Sequence, residues 1–297
     1  MSEPLVSIVT LCWNRKQDIL ESLQGISQID YDNLEVIVVD NASSDGTVEA
    51  IAAQFPEVKV IQMFKNIGIE AYNIGFKNAK GEYIVILDDD SFPHPQAVQR
   101  MVRYFQEDDK LGVVAFDVRN YYKYDEVADA TVEEEVHKAE AKDYYMSFNG
   151  AGAGIRRELF EEIGFYPEEF FLYWNEQDTA FRVWNHGYKV IFFGDVVSYH
   201  KYSPENRASW RAPYYYTRNA FYLVWKNYPG QMAWKKTIYL ITKTIFSALE
   251  QHSFIYIKAM FAAIFGMGRI KGKRRPVKQD VACKLRTPLD TAFTFFR

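Results

Sequence analysis

The chain has 297 residues, and its 48% hydrophobic and 25% charged content is typical of a folded globular protein rather than a disordered one. Because the net charge is only −4, we expect no nucleic-acid partner. The two cysteines, Cys12 and Cys283, exclude a zinc site built from the cysteines of this chain and indicate a reducing compartment. Since the N-terminus enters the first predicted strand without a signal peptide, we expect a cytoplasmic protein.

Four short apolar runs near the N-terminus have the length and the β-branched character of buried strands. They occupy residues 6–11, 34–39, 58–63 and 83–87. Helix-like segments separate them, at residues 16–27, 44–54 and 70–78. Strands that alternate with helices predict an α/β fold, in which helices flank a mostly parallel sheet.

The polar residues of this region lie where the predicted strands end, which is the edge at which parallel sheets bind ligands. They are Thr10, Asn14, Arg15, Asp40, Asn66 and the three aspartates Asp88, Asp89 and Asp90. Asp40 is placed to accept a hydrogen bond from the imide N–H of a pyrimidine base, and a structural turn is the alternative. Gly68 gives the third loop a backbone that can approach a ligand closely. The motifs GxGxxG and GxxxxGK[ST] are absent from the sequence, which argues against an ordinary dinucleotide or nucleoside-triphosphate loop.

The three aspartates directly follow the fourth predicted strand and concentrate negative charge at its end. A fold tolerates such a concentration if a cation neutralises it. Asp88 and Asp90 can converge on Mg²⁺ or Mn²⁺ and leave coordination positions open for phosphate oxygens. The alternative is a solvated acidic turn before a helix capped near Ser91.

Together these motifs resemble the inverting family 2 glycosyltransferases, whose A-type glycosyltransferase fold has a Rossmann-like, mostly parallel sheet flanked by helices. The matching segments are residues 7–10, 38–47, 66–68, 87–90 and 170–178, with Arg182, Gly187, Tyr188, Tyr199 and His200. The resemblance covers residues 5–230 and looks closest to bacterial members that add rhamnose, galactofuranose or similar sugars to cell-surface polysaccharides. It implies a nucleotide-diphosphate sugar donor, with dTDP or UDP as the nucleotide, and a glycan or lipid-linked glycan acceptor.

The resemblance also implies roles for the polar residues at the sheet edge. It assigns donor binding to Thr10, Asn14, Arg15, Asp40, Asn66, Gly68, Asp88, Asp89 and Asp90. Within this set, Asp88 and Asp90 would also hold the divalent cation. His200 matches a histidine that completes the metal shell in some relatives, and a buried, hydrogen-bonded core histidine is the alternative.

Glu176 matches the position of the family's general base, which takes the proton from the acceptor hydroxyl as that hydroxyl attacks the anomeric carbon. Many relatives read Glu-Asp-X-Asp where residues 175–178 read Asn-Glu-Gln-Asp, so the acid at the second position has a longer side chain here. Asp178 is the rival base. Its alternative role is an ion pair with Arg182, four residues later on the same helix face.

Three further features carry less specific signals. The small-residue run 149–154 either approaches a phosphate or sugar or forms a turn. Tyr173, Trp174 and Trp210 either stack on sugar rings or belong to the core. The acidic stretch 125–143 is predicted to be a solvated helix or an insertion near the acceptor side, without chemistry of its own.

The sequence changes character towards its end, so we divide it into a catalytic domain, 1–230, and a C-terminal amphipathic helical region, 231–297. Helices are predicted at residues 234–249 and 254–265. Lys243, Glu250 and Lys258 interrupt the apolar runs, so none reaches the ~18–20 residues that span a bilayer. The basic cluster 269–275 favours peripheral attachment to the inner face of an anionic membrane. The alternative is a helical bundle that packs on the catalytic domain or forms a homo-oligomer.

The sequence thus predicts a metal-dependent inverting glycosyltransferase of cell-surface polysaccharide synthesis. One alternative is a sugar-nucleotide pyrophosphorylase, but such enzymes usually carry a glycine-rich N-terminal loop that residues 7–15 lack. The other is a non-catalytic nucleotide-sugar-binding or scaffold protein. The presence of Asp88, Asp90, Glu176 and His200 argues against that loss of turnover.

Overall fold

The computed structural model describes residues 3–121, 147–203, 209–285 and 287–295. The acidic stretch 125–143, for which the sequence predicts a solvated helix or an insertion, lies outside these ranges.

Eight strands of the described ranges form one sheet. They are β1 (Val6–Cys12), β2 (Leu34–Asp40), β3 (Lys59–Gln62), β4 (Tyr83–Asp88), β5 (Ser91–Pro93), β6 (Leu111–Asn120), β7 (Ala153–Arg156) and β8 (Lys189–His200). Their order across the sheet is β3-β2-β1-β4-β7-β6-β8-β5. The first four strands are parallel, as the sequence predicts, and β8 runs parallel to β6. The short strands β7 and β5 pair antiparallel with their neighbours and complete the sheet.

Within the described ranges, the first six helices connect and cover the strands, and the last four follow β8 in the chain. They are α1 (Lys16–Ile26), α2 (Thr47–Gln54), α3 (Tyr72–Asn78), α4 (Ala97–Glu107), α5 (Arg157–Ile163), α6 (Asn175–Asn185), α7 (Arg211–Asn227), α8 (Gly230–Glu250), α9 (Ile255–Lys271) and α10 (Gln279–Lys284). The predicted third helix begins as a 3₁₀ turn, Gly68–Ala71, before it continues as α3. The alternative of a helix capped near Ser91 is wrong, because the chain first forms β5 and the next helix begins only at Ala97.

Two hydrophobic clusters fill the two faces of the sheet. Alternate residues of a strand point to opposite faces, so Ile8 belongs to one cluster and the next residue, Val9, to the other. Side chains of α1, α2 and α4 cover the first face, and side chains of α3, α5 and α6 cover the second. This two-sided burial explains why the parallel strands read as continuous apolar runs.

A third hydrophobic cluster joins the C-terminal helices to the rest of the molecule. It contains Phe170 and Phe181, which lie before and within α6, together with buried side chains from α7 to the 3₁₀ turn Leu289–Phe293. The C-terminal helices therefore pack on the sheet-containing part of the chain. The division of the chain at residue 230 stays a prediction, and this cluster contains residues from both sides of it.

Candidate functional site

The three aspartates after β4 lie against the basic side chain of Arg15, which precedes α1. Arg15 Nη1 lies 2.7 Å from Asp89 Oδ1, and Arg15 Nη2 lies 3.0 Å from Asp90 Oδ2. All three of these side chains are buried, whereas the side chain of Asp88 is 35% exposed. Burial raises the pKa of Asp89 to about 8; the charge of Arg15 opposes this rise, and those of Asp90 and Asp88 add to it. A single arginine therefore leaves the negative charge of this turn incompletely balanced.

Asp90 is the most strongly held of the three. Its Oδ2 also accepts a hydrogen bond from the backbone N–H of Ser203 (2.8 Å), and its Oδ1 lies 3.0 Å from Nε2 of His200, the last residue of β8. Burial alone would raise the pKa of Asp90, but His200 and Arg15 outweigh it and hold that pKa well below its usual range. Asp90 is therefore ionised and fixed in place.

Asp88, Asp90 and His200 form a cluster that could hold a divalent cation. One ligand atom from each of the three residues lies within 4.8 Å of the others. Two carboxylates and an imidazole are ligands that Mn²⁺ accepts, and Mg²⁺ is bound through one or two carboxylates together with phosphate oxygens. The structure thus brings together the three residues that the sequence predicts as metal ligands.

The loop after β2 has a feature that favours ligand contact. Asp40 is completely buried, and its Oδ2 accepts a hydrogen bond from the backbone N–H of Ser43 (3.0 Å). Its Oδ1, like the hydroxyl of Thr10, is buried without a hydrogen-bond partner among the described residues. A buried polar atom without a partner is costly, and a ligand donor is one of the few things that can satisfy it.

The first three loops at this edge are hydrogen-bonded to one another. The side chain of Asn14 accepts from the backbone of Ser44, and its own backbone N–H donates to Ser43 Oγ. The amide of Asn41 donates to Asn66 Oδ1 (3.0 Å) and to the carbonyl of Gly68 (3.1 Å). The sequence alone does not predict this role of Asn41, because its partners lie about 25 residues later in the chain.

Gly68 has a structural reason to be glycine. Its φ of +73° is in the left-handed region, and a Cβ there would lie 2.2 Å from the carbonyl oxygen of Phe171. In the structure, the backbone of Gly68 therefore lies close to Phe171, in the segment before α6. Contact of Gly68 with a donor stays a prediction.

Glu176, in the first turn of α6, faces the aspartate turn across Gly150. A Cβ built on Gly150 would lie 2.9 Å from Glu176 Oε1 and 3.4 Å from Asp88 Oδ1. Asp88 and Glu176 are each half-buried as whole residues. Burial raises the pKa of Glu176 to about 7; its own backbone N–H and Asn175 oppose this rise, and the charge of Asp88 adds to it. A carboxyl group with a pKa near neutrality is suited to accept and release a proton. The small-residue run 149–154 therefore gives the two carboxylates room to approach each other.

Asp178, the rival base, is enclosed by cationic and amide side chains. It is completely buried, and its Oδ2 lies 3.1 Å from Arg182 Nη2 and 3.2 Å from Lys226 Nζ. Its Oδ1 accepts a hydrogen bond from the side-chain amide of Asn227 (2.7 Å). The predicted ion pair with Arg182 is confirmed, and the additional cation comes from α7. The carboxylate of Asp178 therefore joins α6 to α7 and is not exposed to solvent.

The three candidate stacking aromatics differ in exposure. Trp174 is 6% exposed and donates its Nε1–H to the carbonyl of Tyr216, and the ring of Tyr173 stacks on that of Tyr216 at 4.2 Å. Trp210, at 49% exposed, is the one of the three that presents a large surface to solvent.

Comparison with known sequences identifies relatives of the chain. The sequence profile described as glycosyl transferase family 2 matches residues 7–164. The chain is 31% identical over 219 residues to glycosyltransferase GlyG of Streptococcus pneumoniae serotype 4. This alignment covers 66% of this chain and 69% of GlyG. It is 27% identical over 278 residues to the dTDP-rhamnosyl transferase RfbF of Shigella flexneri. This alignment covers 84% of this chain and 92% of RfbF.

Solved structures share the fold. The mannosyltransferase PcManGT from Pyrobaculum calidifontis, in complex with GDP-Man and Mn²⁺, matches with a TM-score of 0.61 at 22% identity, over 96% of this chain and 79% of that one. S. aureus TarS 1–349 in complex with UDP matches with a TM-score of 0.55 at 20% identity, over 74% and 65%. The predicted A-type glycosyltransferase fold is therefore confirmed.

The ion pairs of Asp178 predict how stability depends on pH. Burial favours the neutral acid, but Lys226, Arg182 and Asn227 outweigh it and hold the pKa of Asp178 below its usual value. A depressed folded-state pKa contributes stability that is present above the unfolded value, about pH 4, and is lost as the pH falls further. We expect Asp178→Asn to lower the free energy of unfolding at pH 7 by about 1–3 kcal/mol, because Arg182 and Lys226 each lose one buried carboxylate partner. Lys226 keeps its ion pair with Glu169, and Arg182 keeps its hydrogen bonds to the carbonyls of residues 163–165.

Denaturant unfolding at a series of pH values measures this contribution. Between about pH 5 and pH 3 the Asp178→Asn variant should lose less stability than the wild type, whereas the exposed control Asp32→Asn should keep the wild-type pH profile. Parallel pH profiles for the wild type and Asp178→Asn would contradict the ion-pair assignment.

Proposed function

Because the chain belongs to glycosyl transferase family 2, and is thus a glycosyltransferase, we propose a specific reaction for it. It transfers a sugar from a dTDP- or UDP-linked donor to a hydroxyl of a glycan or lipid-linked glycan, with inversion and with a divalent cation, in cell-surface polysaccharide synthesis. The observation that carries this proposal is the position of Glu176 beside the cluster of Asp88, Asp90 and His200. A Cβ built on Gly150 would lie 2.9 Å from Glu176 Oε1 and 3.4 Å from Asp88 Oδ1, so the two carboxylates are neighbours.

The proposal divides the work between two groups of residues. Asp88, Asp90 and His200 would hold Mg²⁺ or Mn²⁺, and the bound ion would offset the charge that grows on the departing diphosphate. Arg15 keeps the buried carboxylates of Asp89 and Asp90 in place. Glu176 would accept the proton of the attacking hydroxyl, so that a single displacement inverts the anomeric carbon without a covalent intermediate.

The nucleotide is proposed from Asp40 and from the relatives. The buried, unpartnered Oδ1 of Asp40 is suited to accept from the imide N–H that uracil and thymine carry. The relative RfbF is named a dTDP-rhamnosyl transferase, and it aligns along most of this chain. A pyrimidine sugar donor is therefore the first to test.

The two alternative functions are less well supported. A pyrophosphorylase does not require a base beside the metal cluster, and family membership favours sugar transfer. A scaffold protein would have no reason to keep Glu176 with a raised pKa next to Asp88. We therefore retain the transferase as the proposal.

Turnover and donor binding should separate in two variants. Glu176→Gln keeps the shape of the side chain but cannot accept a proton, so we expect turnover to fall by at least about 100-fold with little change in nucleotide affinity. Asp88→Asn should instead weaken metal-dependent nucleotide binding. The exposed control Glu162→Gln should behave as the wild type.

Turnover is measured as the release of nucleoside diphosphate during hydrolysis of dTDP-, UDP- and GDP-sugars. Each sugar nucleotide is tested with Mn²⁺, with Mg²⁺ and with EDTA. Binding of Mn²⁺ with dTDP or UDP is measured by calorimetry. Full turnover in EDTA, or wild-type turnover by Glu176→Gln, would overturn the proposed mechanism.

We further propose that α8 and α9 attach the protein to the inner face of an anionic membrane. In the described ranges, no helix combines the length and apolarity needed to cross a bilayer. However, these two helices expose large apolar side chains, namely Trp234, Ile238, Ile245, Phe246, Leu249, Phe261, Ile264 and Phe265, with Phe254 between them. Residues 230–285 also contain eleven Lys and Arg but two Asp and Glu, in a chain whose net charge is −4. Apolar side chains together with a local excess of cations match an anionic lipid surface.

Vesicle binding tests the attachment. Phe254 and Phe265 are 88% and 85% exposed, so Phe254→Ser with Phe265→Ser should weaken sedimentation with phosphatidylglycerol-containing vesicles by at least about tenfold. Phe64→Ser, at a fully exposed position outside these helices, is the matched control and should bind as the wild type. Added salt should weaken wild-type binding. If the wild type does not bind the vesicles and instead forms a dimer that the double variant dissociates, the two helices form a protein interface.

A further inference from the structure

The backbone that leads into α6 has an uncommon conformation. Phe171, Tyr173 and Trp174 have φ angles of 65°, 64° and 68°, in the left-handed region that residues other than glycine rarely adopt. Trp174 is the N-cap of α6, and Glu176 is the second residue of that helix. The direction in which Glu176 projects therefore depends on a segment that has little intrinsic preference for its own conformation. Such a segment persists only where its surroundings determine it.

One buried side chain of α7 holds this segment. The amide of Asn219, which is completely buried, donates to the backbone carbonyls of Phe170 (2.8 Å), Leu172 and Tyr173. The neighbouring Arg218 donates to the carbonyls of Glu169 (3.1 Å) and Phe170 (2.6 Å). Four of the five carbonyls at residues 169–173 thus accept from two adjacent residues of one helix.

The same helix holds the chain on the other side of Glu176. Lys226 and Asn227, at the end of α7, bind the carboxylate of Asp178. Glu176 therefore lies between two stretches of backbone that α7 fixes. The segment is also tied to the donor side of the site, because the carbonyl of Phe171 accepts from the backbone N–H of Ile69 (2.7 Å).

We propose that Asn219 is a positioning residue for sugar transfer. Its amide holds the left-handed segment 170–174 and thereby keeps the carboxylate of Glu176 opposite Asp88. Asn219 touches neither the donor nor the acceptor in this role, so its loss should slow turnover without weakening nucleotide binding. The inference rests on the proposed role of Glu176 as the base.

The test compares two buried positions on α7. Asn219→Ala removes the three donated hydrogen bonds. Thr217→Val is the matched control, since Thr217 is also completely buried but its hydroxyl donates to the carbonyl of Ala292, away from the segment. Hydrolysis of dTDP- and UDP-sugars with Mn²⁺ gives kcat and KM, and calorimetry with Mn²⁺ and UDP or dTDP gives the nucleotide affinity.

We expect Asn219→Ala to lower kcat by about 10- to 100-fold, since a small misplacement of a reacting group has an effect of that size, while KM and nucleotide affinity change less than about twofold. Asn219→Ser, which keeps one donor, should fall between the wild type and Asn219→Ala. Thr217→Val should keep the wild-type kcat even if its melting temperature falls as much as that of Asn219→Ala. Hydrogen exchange of the amides at residues 169–178 should rise in Asn219→Ala and not in the control.

Two results would overturn the inference: equal losses of kcat in Asn219→Ala and Thr217→Val, or a wild-type kcat in Asn219→Ala. If Asn219→Ala does not fold, Asn219→Ser and Arg218→Gln are measured in its place and must show the same separation of kcat from KM. If instead the proposed role of Glu176 as the base is wrong, Glu176→Gln keeps wild-type turnover. A loss in Glu176→Gln without a loss in the Asn219 variants overturns only the positioning role.

Discussion

Crowded negative charge at the end of β4 is the constraint around which the site is organised. Three consecutive carboxylates repel one another, and burial makes that repulsion stronger than it would be in water. Arg15 and His200 reduce it, and they come from opposite ends of the described sheet-containing part of the chain. Because Asp90 also accepts from the backbone of Ser203, one carboxylate joins its own turn to two other segments, the residues before α1 and the end of β8 with the residues after it. The remaining charge, on the partly exposed Asp88, lies where a cation and a diphosphate would complete the balance.

Much of the fold could be predicted from the sequence, because the strongest signals in it are local. The four parallel strands are apolar runs, and buried parallel strands have no polar alternation to obscure them. By contrast, β7 is a run of four residues, Ala153–Arg156, and β5 covers only Ser91–Pro93. Neither has the length or composition of a strand. Each becomes one because a longer strand beside it offers unpaired backbone groups.

The site follows the same distinction. The resemblance to a family predicts roles for Asp88, Asp90, His200 and Glu176. The structure clusters the first three and places the carboxylate of Glu176 near that of Asp88. The partners that hold them could not be predicted, because they are distant in sequence. Arg15 lies 75 residues before Asp90, and no local pattern records that pairing. Asn219 is an ordinary asparagine in a helix until its three carbonyl partners are known.

The C-terminal helices connect these observations. Their cluster with Phe170 and Phe181 makes them part of the body that carries Glu176, while their outer surfaces expose apolar and basic side chains. In the proposals made above, α7 orients Glu176, and α8 and α9, which pack on α7 in the same cluster, contact the membrane. The C-terminal helices thus contact the segment that carries Glu176, although the family motifs lie outside these helices.

If the proposed reaction is right, a divalent cation would join Asp88, Asp90 and His200 to the diphosphate of a sugar nucleotide. Anomalous diffraction at the manganese edge, from crystals soaked with Mn²⁺ and UDP or dTDP, locates such an ion. We expect a single strong peak among these three side chains, in contact with the phosphates. A bound nucleotide whose diphosphate lies away from the three side chains, with no peak among them, would refute the proposed metal site.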